Sequence, residues 1–327
     1  MNKLSSPAAD EALSNSTETT FDWREEIINC GSLRHVDLYT GSNGWASPPG
    51  DLFSLRSQNY FCNKTKSPAG DYILKPTGVD WLRSHSKLDH VLARPGNRVV
   101  DALSSHHSRG NFLKTFLFAV NLQVPGKDHH SAVFYFSTDE PIGPGSLLDR
   151  FVNGDDSFRN QRFKLVNHIV KGPWIVRKAV GSYGACLLGK ALTCRYYRGW
   201  NYFEVDVDIA SSKIASALLH LALGCVTAVT IDMGFLVEAQ AEEELPERLL
   251  GAVRICQMEM SSATFVDWSS SDTTSPNRVQ LSSNTTSSNG ADHLVPLSHY
   301  GKRTGLARVN HIAGENQMNG GDLLFPP

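Results

Sequence analysis

The chain has 327 residues, 41% of them hydrophobic and 9% aromatic, with a formal net charge of −2. That apolar fraction supports a sizeable core and excludes a chain that is disordered throughout. The near-balance of charge excludes a global attraction to nucleic acid or membranes, so any electrostatic function must come from local asymmetry.

Residues 1–20 are rich in Ser, Thr, Ala and Asn and read as a disordered tail without a secretory signal. Six cysteines lacking CxxC spacing then read as reduced thiols of a cytoplasmic protein. Beyond the tail, Phe53–Tyr60 and Tyr72–Leu74 suggest short strands, and Gly78–Trp81 suggests the opening of a helix. Phe112–Val124 and Ala132–Phe136 form a hairpin pattern around the Pro125–His130 turn. Ser146 is placed to cap a short helix that Asn153-Gly154 ends. Arg162–Val170 alternates as a strand, Lys171-Gly172-Pro173 turns it, and Trp174–Val180 is expected to return along it. Leu187–Arg198 continues with little charge until its end.

The clearest patterns lie between Arg195 and Glu247. Asn201–Ile209 has the period of two of a half-buried strand, with Phe203, Val205 and Val207 on one side and Glu204, Asp206 and Asp208 on the other. Ser211 or Ser212 can cap a helix that Gly224 stops. Thr227–Val237 alternates again as a buried strand. Ile214–Val237 has the length of a membrane span, but Lys213, His220, Gly224 and Asp232 and the change of period argue against one. Residues 261–327 collapse into Ser, Thr, Asn and Gly and read as a low-complexity, disordered tail. The expected fold is therefore α+β: one domain over residues 21–260, a curved, mainly antiparallel sheet covered by the amphipathic helix at 211–224, and disordered tails. Such a sheet gripping a helix could enclose an apolar ligand.

Charge reverses sharply along the chain. Ser157–Phe203 holds nine Lys and Arg and no acid, whereas Glu204–Glu247 holds nine acids and one base, Lys213. Two readings stay open. Basic and acidic strands can lie side by side and neutralise each other, at about 0.2–1 kcal/mol per exposed pair. Alternatively, a basic face including Arg162, Lys164, Arg177, Lys178, Lys190, Arg195 and Arg198 receives an anionic group such as a phospholipid headgroup, each base contributing roughly 1 kcal/mol near a charged membrane.

Other constellations are weaker. Glu204, Asp206 and Asp208 point the same way and could serve a hard cation or acid–base catalysis, but they come from one strand that faces a basic segment. Gly184–Ala191 resembles a phosphate-binding loop, with Ala191 in place of the magnesium-binding hydroxyl and apolar residues where open amides are required. His106-His107 and His129-His130 lack ligand spacing, and Asp232 reads as a buried hydrogen-bond acceptor. No metal, cofactor or catalytic residue is assigned.

Leu187–Ala215, Phe158–Val166, Gly172–Gly181 and Glu243–Arg254, together with Asn121–Gly126, Gly78–Trp81 and Asn59-Tyr60, are similar to the C-terminal domain of the plant Enhanced Disease Resistance 2 protein and its relatives. The resemblance runs from about Trp45 to Gln257. It implies a plant domain without assigned catalytic residues, linked to defence and to membranes. Longer members carry an upstream pleckstrin-homology domain, which binds a phosphoinositide, and a START domain. The resemblance therefore places no lipid-binding residue on this sequence. Ala210, Asn167-His168 and Gly184-Ala-Cys depart from the family's usual pattern and suggest altered loops. The functional expectation is a non-enzymatic binding or regulatory domain, cytoplasmic and peripherally membrane-associated. Its expected partners are an anionic phospholipid or apolar lipid, or a protein, but not nucleic acid. The alternatives are an interaction scaffold without lipid binding, or an enzyme using Glu204, Asp206 and Asp208.

Overall fold

The computed structural model describes residues 23–108, 115–180 and 183–268. Helix α1 (Trp23–Asn29) leads into β1 (Arg34–His35) and β2 (Gly44–Ala46). A small hairpin follows, β3 (Ser54–Arg56) and β4 (Lys66–Pro68), with the one-turn α2 (Tyr60–Asn63) at its tip. Next come β5 (Lys75–Ser84), α3 (Arg98–Ser108), β6 (Phe116–Val124), β7 (His129–Thr138), α4 (Leu147–Asn153) and α5 (Asp156–Arg162). The chain continues through β8 (Phe163–Lys171), α6 (Trp174–Val180), β9 (Tyr183–Leu187), α7 (Leu188–Ala191), β10 (Thr193–Arg198) and β11 (Tyr202–Asp208). It ends through α8 (Lys213–Leu223), β12 (Thr230–Val237), β13 (Leu249–Cys256) and β14 (Thr264–Phe265).

The α+β class holds, and the sheets are mainly antiparallel, but there are two large sheets where one was expected. The first runs β1-β2-β13-β12-β8-β9 and the second β10-β11-β6-β7-β5-β14. They pack face to face. Phe235 of the first lies 5.6 Å from Phe134 and 5.9 Å from Phe136 of the second, centroid to centroid. Phe118 meets Phe163 across the same layer at 6.5 Å. These rings form a packed layer between the two sheets. Gly251 marks the closest approach, since a Cβ there would strike the Phe136 ring. Bulges at Phe235/Leu236, Thr230/Ile231 and Pro76/Gly78 bend the strands and supply the expected curvature.

Local signals explain most elements. Ser146 accepts from the Asp149 amide and starts α4, and Ser212 accepts from Ala215 and starts α8. The expected 211–224 helix is thus present; none of its residues is fully buried, and Ala215, Leu219 and Leu223 pack against the core between the sheets. Both outer faces are covered by other elements. A cluster of Trp23, Ile27, Val91, Leu92, Val99 and Leu103 covers the second sheet, and the β3–β4 hairpin covers the first through Phe53 and Leu55.

Several local readings change: Tyr72–Leu74, expected as a strand, is irregular chain and a bend ahead of β5. Gly78–Trp81 is the middle of β5, because Val79 and Trp81 enter the inner layer while Asp80 faces outward to Arg98. Trp174–Val180 is a helix in which Val176 is buried, with the Pro173 carbonyl accepting from the Val176 and Arg177 amides. Residues 261–268, placed in the tail by composition, form a turn and β14. That strand pairs in parallel with Leu82 and Arg83 of β5. The expected tails at 1–20 and beyond 268 lie outside the described residues. All six cysteines are free thiols.

Phe235 contacts rings from both sheets, so Phe235→Ala is expected to cost about 3–5 kcal/mol, read from urea unfolding with an unchanged m-value.

Candidate functional site

The two charged segments do lie side by side. Strand β8 of the basic segment pairs with β12 of the acidic one, and β10 pairs with β11. The basic side chains nevertheless meet different fates.

Arg162 and Lys164 are committed to internal carboxylates, which removes them from the expected anion-binding face. Arg162 Nη1 lies 2.6 Å from Glu244 Oε2, and Lys164 Nζ lies 2.8 Å from Glu238 Oε2 and 3.6 Å from Glu247 Oε1. Arg56 and Arg150 complete the cluster, at 3.1 Å from Glu238 and 2.7 Å from Glu244. Burial alone would raise the Glu244 carboxyl, but the Gln240 amide and the Arg162 and Arg150 guanidiniums outweigh it and hold its pKa at about 2. A cleft of about 380 Å³ opens beside this cluster, walled by Ile142, Leu147 and Leu250 and rimmed by Arg248.

Arg195 turns to Asp89, 3.2 Å away, rather than to Asp206, which it faces across the strand pair. Lys190 is exposed on α7. The register Lys164↔Leu187 and His168↔Tyr183 puts α7 at the Phe163 end of β8, opposite α6 at the Lys171 end. Arg198 is exposed at the end of β10. The seven expected bases therefore do not converge on one site.

Two of them sit together on α6. Arg177 and Lys178 are exposed and make no ion pair among the described residues. The same seven-residue helix exposes Trp174 at 73% and Ile175 at 46%. Its inward side is Val176, packed with Ile169 and Val229 and bordered by Leu221 and Ala222 of α8. Ile214, at the amino end of α8, is also exposed, at 68%. Large apolar side chains held in water beside unpaired cations are the composition of an interfacial anchor. Periodicity missed this face because Trp174–Val180 suits a strand as well as a helix. The signal that could have found it was Pro173 followed by a run with no acid.

The Glu204, Asp206 and Asp208 carboxylates do share one face of β11, but a strap formed by residues 85–97 seals the first two. Glu204 is 0% and Asp206 1% exposed. Glu204 Oε1 and Oε2 accept from the Val91 and Leu92 amides at 2.7 and 2.9 Å, and Asp206 accepts from His90 N and Asn121 Nδ2, both at 2.9 Å. Asp208 pairs with Lys87 at 2.5 Å. With the strap in place, neither inner carboxylate reaches an external substrate.

The remaining motifs are absorbed into the fold. Gly184–Ala191 forms the end of β9 and α7, with Gly189 packed on the Asn160 backbone, so its amides form no phosphate cradle. Asp232 binds Arg254 in a bidentate pair, 2.5 and 2.8 Å. His130 stacks on Trp81 at 5.0 Å. The side chains of His106 and His107 lie outside the described part. No group of three or more metal-ligating side chains occurs among the described residues, and no helix there is long and apolar enough to cross a membrane.

Residues 45–259 match the family model described as Protein ENHANCED DISEASE RESISTANCE 2, C-terminal. Over 233 residues, 71% of this chain, the sequence is 46% identical to a protein of Arabidopsis thaliana named Protein ENHANCED DISEASE RESISTANCE 2-like. The match covers 31% of that relative's length.

The Glu244 contacts generate a prediction with a definite sign. A carboxyl held below its unfolded value stabilises the fold above the ordinary carboxylate range, and that contribution is lost as pH falls from about 4.5 toward about 2. Glu244→Gln should flatten this acid limb in urea titrations. Separately, Lys164→Met leaves Glu238 and Glu247 with Arg56 alone and is expected to cost about 3 kcal/mol, whereas Lys178→Ala should stay within about 0.5 kcal/mol.

Proposed function

The chain belongs to the Enhanced Disease Resistance 2 C-terminal family, and from that premise we propose that it is a non-enzymatic regulatory domain of plant defence that docks on anionic membrane surfaces through α6. The observation that carries this reading is the exposure of Trp174 and Ile175 beside Arg177 and Lys178, in a segment without a single acid. Tryptophan favours the headgroup region, and each nearby base adds roughly 1 kcal/mol on an anionic leaflet. Of the seven expected bases, Arg162, Lys164 and Arg195 already hold carboxylates and Lys190 and Arg198 sit on other elements, which favours the pair on α6. Docking is peripheral: the patch is one short helix, and Val176 ties it to the body of the fold.

The internal pairing of much of the basic segment supports a second reading, a protein-interaction scaffold without lipid contact. Cosedimentation of the full chain with phosphatidylserine–phosphatidylcholine vesicles separates the two. The membrane reading expects binding that weakens with salt, falls at least about tenfold in the double variant Arg177→Glu/Lys178→Glu, and falls again in Trp174→Ala, all with unchanged unfolding midpoints. Binding that ignores both the charge reversals and the lipid charge would remove the membrane reading and leave the scaffold.

A further inference from the structure

The strap over β11 is held on the sheet by an unusual arrangement. Glu204 and Asp206 are neighbours on one face of β11 and are completely covered. Among the described residues no cation lies within ion-pair distance of either. Of the charged groups around them, Lys87 on the strap is paired with Asp208, and Arg94 donates to the Asp89 carbonyl. Arg195 on β10 is paired with Asp89, and Arg98 on α3 with Asp80 of β5. His90 donates its amide to Asp206, stacks on Tyr197 at 4.2 Å, and meets the Tyr202 hydroxyl at 2.8 Å through Nε2. Tyr135 of β7 closes the site from the side, bonded to Asn97. Four donors, the amides of His90, Val91 and Leu92 and Asn121 Nδ2, are enough to hold one negative charge. A second charge would have no counterpart and no water.

We propose that Glu204 and Asp206 share one proton that latches the 85–97 strap onto the sheet, and that losing this proton releases the strap and uncovers the apolar face of β6 and β7. Glu204 carries the proton and donates it to Asp206, while Asp206 remains the ionised partner. Burial raises both carboxyls above their ordinary range, and the proximity of Asp206 raises Glu204 further. The direction of the switch follows. Groups whose folded pKa is raised stabilise the closed strap below the ordinary carboxylate range, and that stabilisation is lost as pH rises through the folded values. The strap is thus closed in acid and loosened in base. Release would expose Leu117, Ala119 and Val133, which Leu88, Val91 and Leu92 now help to cover. His90 does not drive this switch: burial, then Arg94, lowers its pKa, so it stays neutral where the dyad titrates.

Amide hydrogen exchange on the full chain tests the latch, with rates corrected for intrinsic base catalysis. Protection at His90, Val91 and Leu92 should fall at least about tenfold between about pH 6 and about pH 9, while protection at Phe235 stays level. Glu204→Gln and Asp206→Asn, which cannot ionise, should each abolish the pH dependence. A wild-type profile that is flat, or an identical slope in the variants, would overturn the proposal. Should neither variant fold, infrared spectroscopy of the wild-type chain decides. A protonated carboxylic acid band persisting at neutral pH and vanishing as strap protection falls supports the latch, and its absence at neutral pH overturns it.

Discussion

Phe235 touches the rings of Phe134 and Phe136 on the opposing sheet and stacks on Phe163 of its own. The rest of the structure depends on this dry layer. Two sheets whose inner faces are Phe, Val and Trp can meet only if every polar residue on those strands points the other way. Period-two alternation then drives Glu204, Asp206, Lys164 and Asp232 onto the outer faces. Those outer faces are covered in turn, by the strap on one sheet and by the β3–β4 hairpin on the other. Charges that sequence alone would leave in water must therefore find partners inside the protein.

The two sheets meet that demand differently. On the first sheet the carboxylates receive cations: Asp232 receives Arg254, and Glu238, Glu244 and Glu247 receive Lys164, Arg162, Arg56 and Arg150. On the second sheet Glu204 and Asp206 receive backbone amides and an asparagine. The first arrangement is expensive to break. The second binds a proton in place of a cation, which makes the strap responsive to pH. Once these internal needs are met, Arg177 and Lys178 remain turned outward beside Trp174 and Ile175, and charge and apolar surface coincide there.

Much of the architecture was legible in the linear chain because it rests on short-range rules. The alternation of β11 and β12, the Ser146 and Ser212 caps and the Gly224 stop all describe neighbours in sequence, and each appears at or within a few residues of its expected place. The side-by-side placement of basic and acidic strands was one of the two readings that the charge reversal left open, and the strand pairing bears it out. Family membership was readable from the motifs between Asn59 and Arg254, and residues 45–259 match the family model.

What the sequence determined by itself is the α+β class, the alternating faces and the pool of charges, because periodicity and capping act over two to four residues. Only the tertiary structure decided that there are two sheets, that Arg162 and Lys164 are taken by glutamates more than seventy residues away, and that a strap more than a hundred residues upstream seals Glu204 and Asp206. Pairing over such separations depends on which covered faces meet. A side chain at a given position has the same chemistry whether it ends against solvent, a carboxylate or a backbone amide.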